Sequence, residues 1–222
     1  MIIVKLGTVS DIKVSNVDKK SKPDQKSVKL CNYTDVYYNI NITDDMNFMV
    51  ATASEKEIEK FAIKKGQVAI TKDSETAKDI GMSAYMKDDF QNVVLGYHLA
   101  LFSPHEEKLN GQFLNYYMRT DSIRNWFENN AGGSGQRVSL SLDCLSSIPI
   151  RLPNLSVQKR IALLLGKLDE KIRVNEKINS SLEKMARLMY DQWFVRFDFP
   201  DENNRPLLFR VFGWMKMEVW HA

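Results

Sequence analysis

Three short polar stretches, far apart in the chain, carry residue types that could do binding chemistry. Thr71-Lys72-Asp73-Ser74-Glu75-Thr76 offers a cation, carboxylates and hydroxyls directly after an apolar run. A Lys can donate to guanine O6 and N7, a carboxylate can accept from cytosine N4, and Ser or Thr can do either. A solvated loop fits the same residues equally well. Asn32, Tyr33 and Thr34 form a second group by the same logic. The third is the glycine-rich run 131–137, with Ser134, Gln136 and Arg137. Its backbone N–H groups can approach a phosphate, and Arg137 can bind one bidentately. A loop of this composition is more often a plain connector. It lacks the Lys-Ser/Thr ending of a nucleotide-binding loop and follows no strand, which argues against ATP.

Chemistry of a catalytic kind is not legible. His98 and His105 lie seven apart, without a metal-ligand spacing. His98 sits in an apolar run and reads as a satisfied core residue, His105 as an exposed one. Cys31 and Cys144 form neither a disulfide framework nor a metal pair. No Ser or Cys has a nucleophile's local signature. An Asn-Pro-Pro-Tyr type signature and a glycine-rich cofactor loop after a strand are both missing. No catalytic residue and no metal ligand is assigned.

The elements that must position the polar groups follow from patterning. Short strands are expected at 2–6, 12–14, 28–33, 67–71, 82–86 and 148–152. Another is expected at 93–102, interrupted by Gly96. Residues 34–41 read as a turn. Ser54-Glu55-Lys56-Glu57 is a capping box opening a short helix to Phe61. Helices are expected at 111–119 and 122–129, and a turn at 143–145. Residues 1–152 therefore read as one mixed α+β domain, with strands not regularly alternating with helices.

From Asn154 to Phe197 the chain has one glycine and no proline, and good helix formers dominate. Ser156 is the expected N-cap, with Asn154 the alternative. A heptad with Ile161 at a puts Leu168, Asn175, Leu182 and Met189 at a. Leu164, Lys171, Ile178, Met185 and Gln192 fall at d, with Ile172 beside the Lys171 lapse. Seven of these ten are apolar, which reads as a coiled-coil seam. At 1.5 Å per residue the rod is roughly 60 Å long. Its apolar stripe needs a partner helix, and Ile161, Leu164, Leu168, Ile172, Asn175, Ile178, Leu182, Met185 and Met189 are the expected dimerisation residues. Segment 153–197 is thus a helical spacer and 198–222 an exposed tail.

The chain has 222 residues, 44% of them hydrophobic and 27% charged, which suits an ordinary soluble protein. No run of 18 apolar residues is present, so no membrane span is expected. The start is too short in apolar residues for a secretory signal, so reduced thiols in a cytoplasm are expected. The net charge is +3. Residues 1–152 carry 19 basic and 19 acidic residues, so the first domain does not advertise a polyanion partner.

A family resemblance adds to this reading. The stretch LPNLSVQKRIALLLGKLDEKIRVNEKINSSLEKMARLMYDQWFVRFD resembles the helical spacer of specificity (S) subunits of Type I restriction–modification systems. LSVQKRI, LDEKI, N-x-x-I-N, LE-x-MA and WFV-x-FD carry the likeness. Val157 stands where the family often has Glu. Upstream, NYTDVY at 32–37, the run 52–81, the Gly-Ser-Gly-Gln-Arg loop and 139–149 resemble the family's target recognition domain. Full-size S subunits carry the domain-plus-spacer unit twice, with their spacers antiparallel; this chain carries it once. The resemblance implies a non-catalytic, half-size DNA-specificity subunit. Its expected partners are double-stranded DNA, DNA adenine methyltransferase (M) subunits, a restriction (R) subunit and a second copy. It implies no cofactor bound directly, with S-adenosylmethionine, ATP and Mg acting in partner subunits. The DNA-contacting candidates are then Asn32, Tyr33, Thr34, Lys72, Ser74, Glu75, Thr76, Ser134, Gln136 and Arg137. A different-class alternative is a helical interaction scaffold or inhibitor without specific DNA binding.

Overall fold

Val68-Ala69-Ile70-Thr71 is apolar without alternation, and that is the signature of a strand covered on both faces. In the computed structural model, which describes residues 2–133 and 137–196, this strand is the middle of the central sheet and every residue of it is buried. The elements in chain order are β1 (Ile2–Lys5), a 3-10 turn, β2 (Ser10–Val14), β3 (Lys26–Cys31), α1 (Tyr33–Tyr38), β4 (Asn41–Ile42) and β5 (Met49–Ala53). Next come α2 (Glu55–Phe61), β6 (Val68–Thr71), β7 (Asp73–Ser74), β8 (Ser83–Met86), β9 (Val93–Leu95) and β10 (Leu99–Pro104). The last are α3 (Gly111–Met118), α4 (Asp121–Asn130), β11 (Val138–Ser139), α5 (Leu142–Ser147), β12 (Pro149–Leu152) and α6 (Leu155–Tyr190), ending in a π-helical turn over Asp191–Val195. The expected α+β class with a long terminal helix is borne out.

The five-stranded sheet has the order β2-β10-β6-β8-β4 and the three-stranded sheet β5-β3-β9. Two ribbons, β1-β12 and β11-β7, complete the strands. Period-two geometry divides the central strands between two cores. Ala69, Leu99 and Leu101 face a core shared with the three-stranded sheet, Val28, Leu30 and Phe61 among its members. Val68, Ile70, Ala100 and Phe102 face the other, shared with Leu114, Ile123 and Phe127 of α3 and α4.

Several expectations are corrected. The strand ending at Tyr33 stops at Cys31, and the turn at 34–41 is helix α1. Tyr, Thr and Val are poor helix formers, but Asp35 accepts the Asn32 N–H at 2.7 Å and holds the first turn. The strand 93–102, expected with an interruption at Gly96, is two strands in different sheets, because the chain crosses over at Gly96-Tyr97-His98. His98 there has φ of 68°, so it lies outside any strand. The turn at 143–145 is a full helix, α5, capped by Ser141, whose hydroxyl accepts the Cys144 N–H. Asn154, not Ser156, caps α6: its Oδ1 accepts the Val157 N–H at 3.0 Å.

The capping box at Ser54 forms as expected, with Ser54 N–H to Glu57 at 2.9 Å. Packing divides the chain into a first unit ending at Leu164 and a second beginning at Leu165. The first ten residues of α6 thus belong to the first unit, beyond the boundary expected at 152. Gln158 is the reason: it is fully buried, accepts from the Asn110 N–H and donates to the Lys108 and Pro153 carbonyls.

Candidate functional site

α1 is short, and the packing around it fixes it. The Arg119 guanidinium donates to the Asn39 carbonyl at 3.0 Å, and the buried Asn115 amide donates to the Ile40 carbonyl at 3.0 Å. Both anchors, from α3 and its C-cap, hold the chain just after α1, and α1 itself packs on β6, β8 and β4. On α1 itself Tyr33 stacks on Tyr37, with centroids 5.6 Å apart, and Tyr37 meets Tyr38 edge-on at 4.9 Å. Burial raises the Tyr33 phenol above its usual range, against hydrogen bonds with Ser74 and Thr71.

The segment after β6 is fixed at both ends. Lys72 N–H donates to the His98 carbonyl at 3.0 Å, and Leu140 N–H to the Lys72 carbonyl at 2.7 Å. At its far end the Arg124 guanidinium donates to the Ile80 and Lys78 carbonyls. Asp73 is the hub: Lys72 Nζ and His98 Nδ1 both lie 2.6 Å from its Oδ2. Burial works to raise the Asp73 carboxyl, but hydrogen bonds from Lys72, Ser139 and His98 prevail and hold it below the usual carboxylate range. Thr76 Oγ donates to Asp79 at 2.7 Å.

The glycine-rich run is tied to this segment by the β7-β11 ribbon, in which Ser74 opposes Val138 and Asp73 opposes Ser139. Gly132 and Ser139 exchange N–H to carbonyl bonds at 3.0 and 2.6 Å, closing the loop between them. A Cβ on Gly133 would fall 2.3 Å from the Arg137 carbonyl oxygen, so the closure requires glycine there. Arg137 is thereby carried next to Ser74 and Glu75. Ser134 and Gln136 lie outside the described residues.

All three polar stretches meet around one open cavity of about 330 Å3. Tyr33, Thr34, Ser74, Glu75, His98 and Arg137 line it, together with Tyr37, Tyr38, Asp73 and Asp79. A second groove of about 450 Å3 shares Tyr33, Thr34 and His98 and adds Asn32, Tyr97 and Lys19. Lys72 is not among the lining residues; its side chain is 15% exposed and engaged by Asp73.

The family model for the Type I restriction modification DNA specificity domain matches residues 3–184. The chain belongs to this family. The HindI specificity subunit of Haemophilus influenzae is 29% identical over 140 residues, spanning 63% of this chain and 30% of that one. The S subunit from M. genitalium superposes with a TM-score of 0.55 at 16% identity, covering 100% of this chain and 50% of that one. The HsdS subunit from Thermoanaerobacter tengcongensis gives 0.51 at 16% identity, covering 87% and 44%. At that identity the structures speak for the fold. The chain spans half or less of the length of these relatives.

For a specificity-family domain the chemistry of the cavity is informative. Carboxylates at Glu75, Asp73 and Asp79 outnumber the one lining cation, Arg137. Acceptors suit the exocyclic amino groups of cytosine and adenine. Sequence reading missed His98, Tyr37 and Tyr38 at the cavity, and named Asp73 within its polar stretch without counting it among the contacts. In the structure His98 is marked by its left-handed backbone, an uncommon state for a non-glycine residue. It is satisfied, as expected, but by Asp73 at the cavity wall rather than within a core. His105 is partly exposed, 3.5 Å from Asp11. Among the described residues no group of three His, Cys, Asp or Glu is placed to hold a metal, and no helix is long and apolar enough to cross a membrane.

Proposed function

We propose that this chain is the DNA-recognition component of a Type I restriction–modification complex and carries no catalysis of its own. The convergence of three separate polar stretches on one cavity with a rigid floor supports this most. Thr34, Ser74, Glu75 and His98 present hydrogen-bonding groups to base edges, and Arg137 with the closed glycine loop contacts a phosphate. Asn32, Tyr33 and Thr76 frame the contact, and Lys72 acts through Asp73 by holding the β7-β11 ribbon. Ser134 and Gln136 belong to the same phosphate-contacting loop.

The exposed apolar stripe of α6 supports the second half of the reading. Leu168, Ile172, Ile178, Leu182 and Met185 are each at least half exposed on the single chain. A helix with such a stripe is completed by another helix. The first occupant is a second copy, giving a homodimer that reads one half-site with each recognition domain. Methyltransferase subunits dock on the assembled dimer and transfer methyl groups from S-adenosylmethionine. A restriction subunit uses ATP and Mg. The complex works in the cytoplasm.

The test is a gel shift of labelled duplex DNA with the chain and methyltransferase subunits together. A sequence-dependent shift is expected. The balanced charge of residues 1–152 favours one rival, a helical scaffold or inhibitor that pairs but reads no DNA. Binding to the methyltransferase subunit with no DNA shift at any sequence identifies that rival.

A further inference from the structure

The first 30 residues hold seven lysines against three aspartates, and the function described above gives these cations no role. We propose that Lys19 and Lys20 hold phosphates of the DNA strand opposite the one that Arg137 contacts, which makes the groove behind His98 the second half of the recognition cleft. This rests on the DNA-recognition reading and adds a second hold to it.

The charge of the first cavity calls for such a hold. Asp73, Glu75 and Asp79 line it with one guanidinium, that of Arg137. A duplex carries one negative charge per about 1.7 Å of its axis. A mostly acidic lining repels it unless cations stand at the rim. Residues that read base edges in a groove lie between the two backbones bounding it, one from each strand. Arg137 lines only the first cavity and Lys19 only the second groove, whereas Tyr33, Thr34 and His98 line both. The base-edge groups are therefore flanked by a cation on each side. Asp18 also lines the second groove and offsets one charge, and Lys20 restores the balance. Other lysines nearby are committed: Lys26 to Glu55 at 2.7 Å and Lys72 to Asp73 at 2.6 Å. Lys19 and Lys20 form no ion pair among the described residues.

The two lysines stand on a fixed segment. At its start the Ser15 hydroxyl donates to the Leu95 carbonyl at 2.6 Å, and the Tyr97 N–H donates to the carbonyl of the buried Val17 at 2.9 Å. At its end the Lys22 N–H donates to the Thr52 hydroxyl at 2.8 Å. Lys19 and Lys20 lie between these anchors, and both are exposed. The crossover that holds Val17 also holds the other half of the cleft. The His98 carbonyl accepts the Lys72 N–H, and the His98 ring meets Asp73 on the ribbon that carries Arg137. One stretch of chain thus sets the separation of the two holds, and a preset separation lowers the ordering cost of binding.

The test is DNA binding by the full chain with methyltransferase subunits, titrated over salt concentration. Lys19→Gln with Lys20→Gln should weaken cognate and non-cognate duplexes alike, by on the order of tenfold, and lower the salt slope by about two. Lys64→Gln with Lys65→Gln is the control. These lysines precede β6 and line a separate groove, whereas the cleft lies after β6, so the slope should stay as in the unaltered chain. An unchanged slope in the Lys19→Gln, Lys20→Gln variant overturns this proposal and leaves DNA recognition standing. So does a changed sequence preference, which would make the segment a base reader, or weaker binding of methyltransferase subunits at an unchanged slope, which would assign it to a protein partner. Failure of the unaltered chain to bind any duplex overturns both readings. Photo-cross-linking gives a second measurement that keeps the lysine charge pattern nearly whole. Cys144→Ser is the background, because Cys31 is fully buried and burial pushes its thiol far above the usual range. Lys20→Cys and Arg137→Cys, each carrying an azidophenacyl group, should cross-link to opposite strands of the half-site. Cross-links to the same strand, or none from Lys20→Cys, overturn the proposal.

Discussion

At the residue scale the proposed function separates base-edge groups from a phosphate-contacting group, and the two kinds should respond differently to mutation. Glu75→Ala should change which sequences are bound, since a lost base-edge contact costs about 1–3 kcal/mol of discrimination. Arg137→Ala should weaken all sequences alike and lower the salt dependence by about one phosphate contact. Binding titrations over a sequence library at two salt concentrations check both. Asp73 gives a pH prediction with a fixed sign. Its carboxyl is held below the usual range by Lys72, Ser139 and His98, against its own burial. Its contribution is therefore present above the usual carboxylate range and is lost as pH falls through its lowered value. Acidification should loosen the β7-β11 ribbon before the domain unfolds, and Asp73→Asn should abolish that early step. Amide exchange of residues 72–75 and 137–140 against pH is the measurement. Sequence reading found Asn32, Tyr33, Thr34, Ser74, Glu75 and Arg137, because polar types clustered beside a buried strand are visible locally. It could not find the Asp73–His98 contact, which joins residues 25 apart through a crossover between two sheets. Nor could it tell that Lys72 is engaged.

At the element scale, legibility followed local chemistry. The Ser54 capping box and the long apolar periodicity of α6 are written in neighbouring residues, and α2 and α6 formed where they were expected. α1 was missed because tertiary anchors, Arg119 and Asn115, hold a segment with weak helix propensity. The interruption at Gly96 was read but the change of sheet across it was not, because apolar content alone does not say which sheet a strand joins. Two element-level outcomes follow. Ser54→Ala removes the cap of α2 and should cost about 1 kcal/mol in chemical denaturation. Leu168→Lys with Leu182→Lys should abolish self-association while leaving the recognition domain folded. Each leucine buried in the proposed homodimer would contribute about 1.5–3 kcal/mol. Light scattering with circular dichroism separates lost pairing from lost folding.

At the scale of the whole molecule, symmetry governs what the proposed homodimer can read. Two identical chains about a two-fold axis present two identical recognition faces, and the matching DNA is an inverted repeat. α6 has 36 residues, about 54 Å at the helical rise, long enough to hold two half-sites apart. On the proposed function the site should therefore be two reversed half-sites around an unread gap. A seven-residue insertion after Asn175 should change the gap and leave the half-sites unaltered. Single-molecule methylome sequencing of a host that carries this chain with its methyltransferase and restriction partners tests this account most directly. The account predicts one bipartite palindromic motif, methylated on both half-sites, that vanishes when this chain is deleted. A non-palindromic motif, or a continuous motif with no gap, would contradict it.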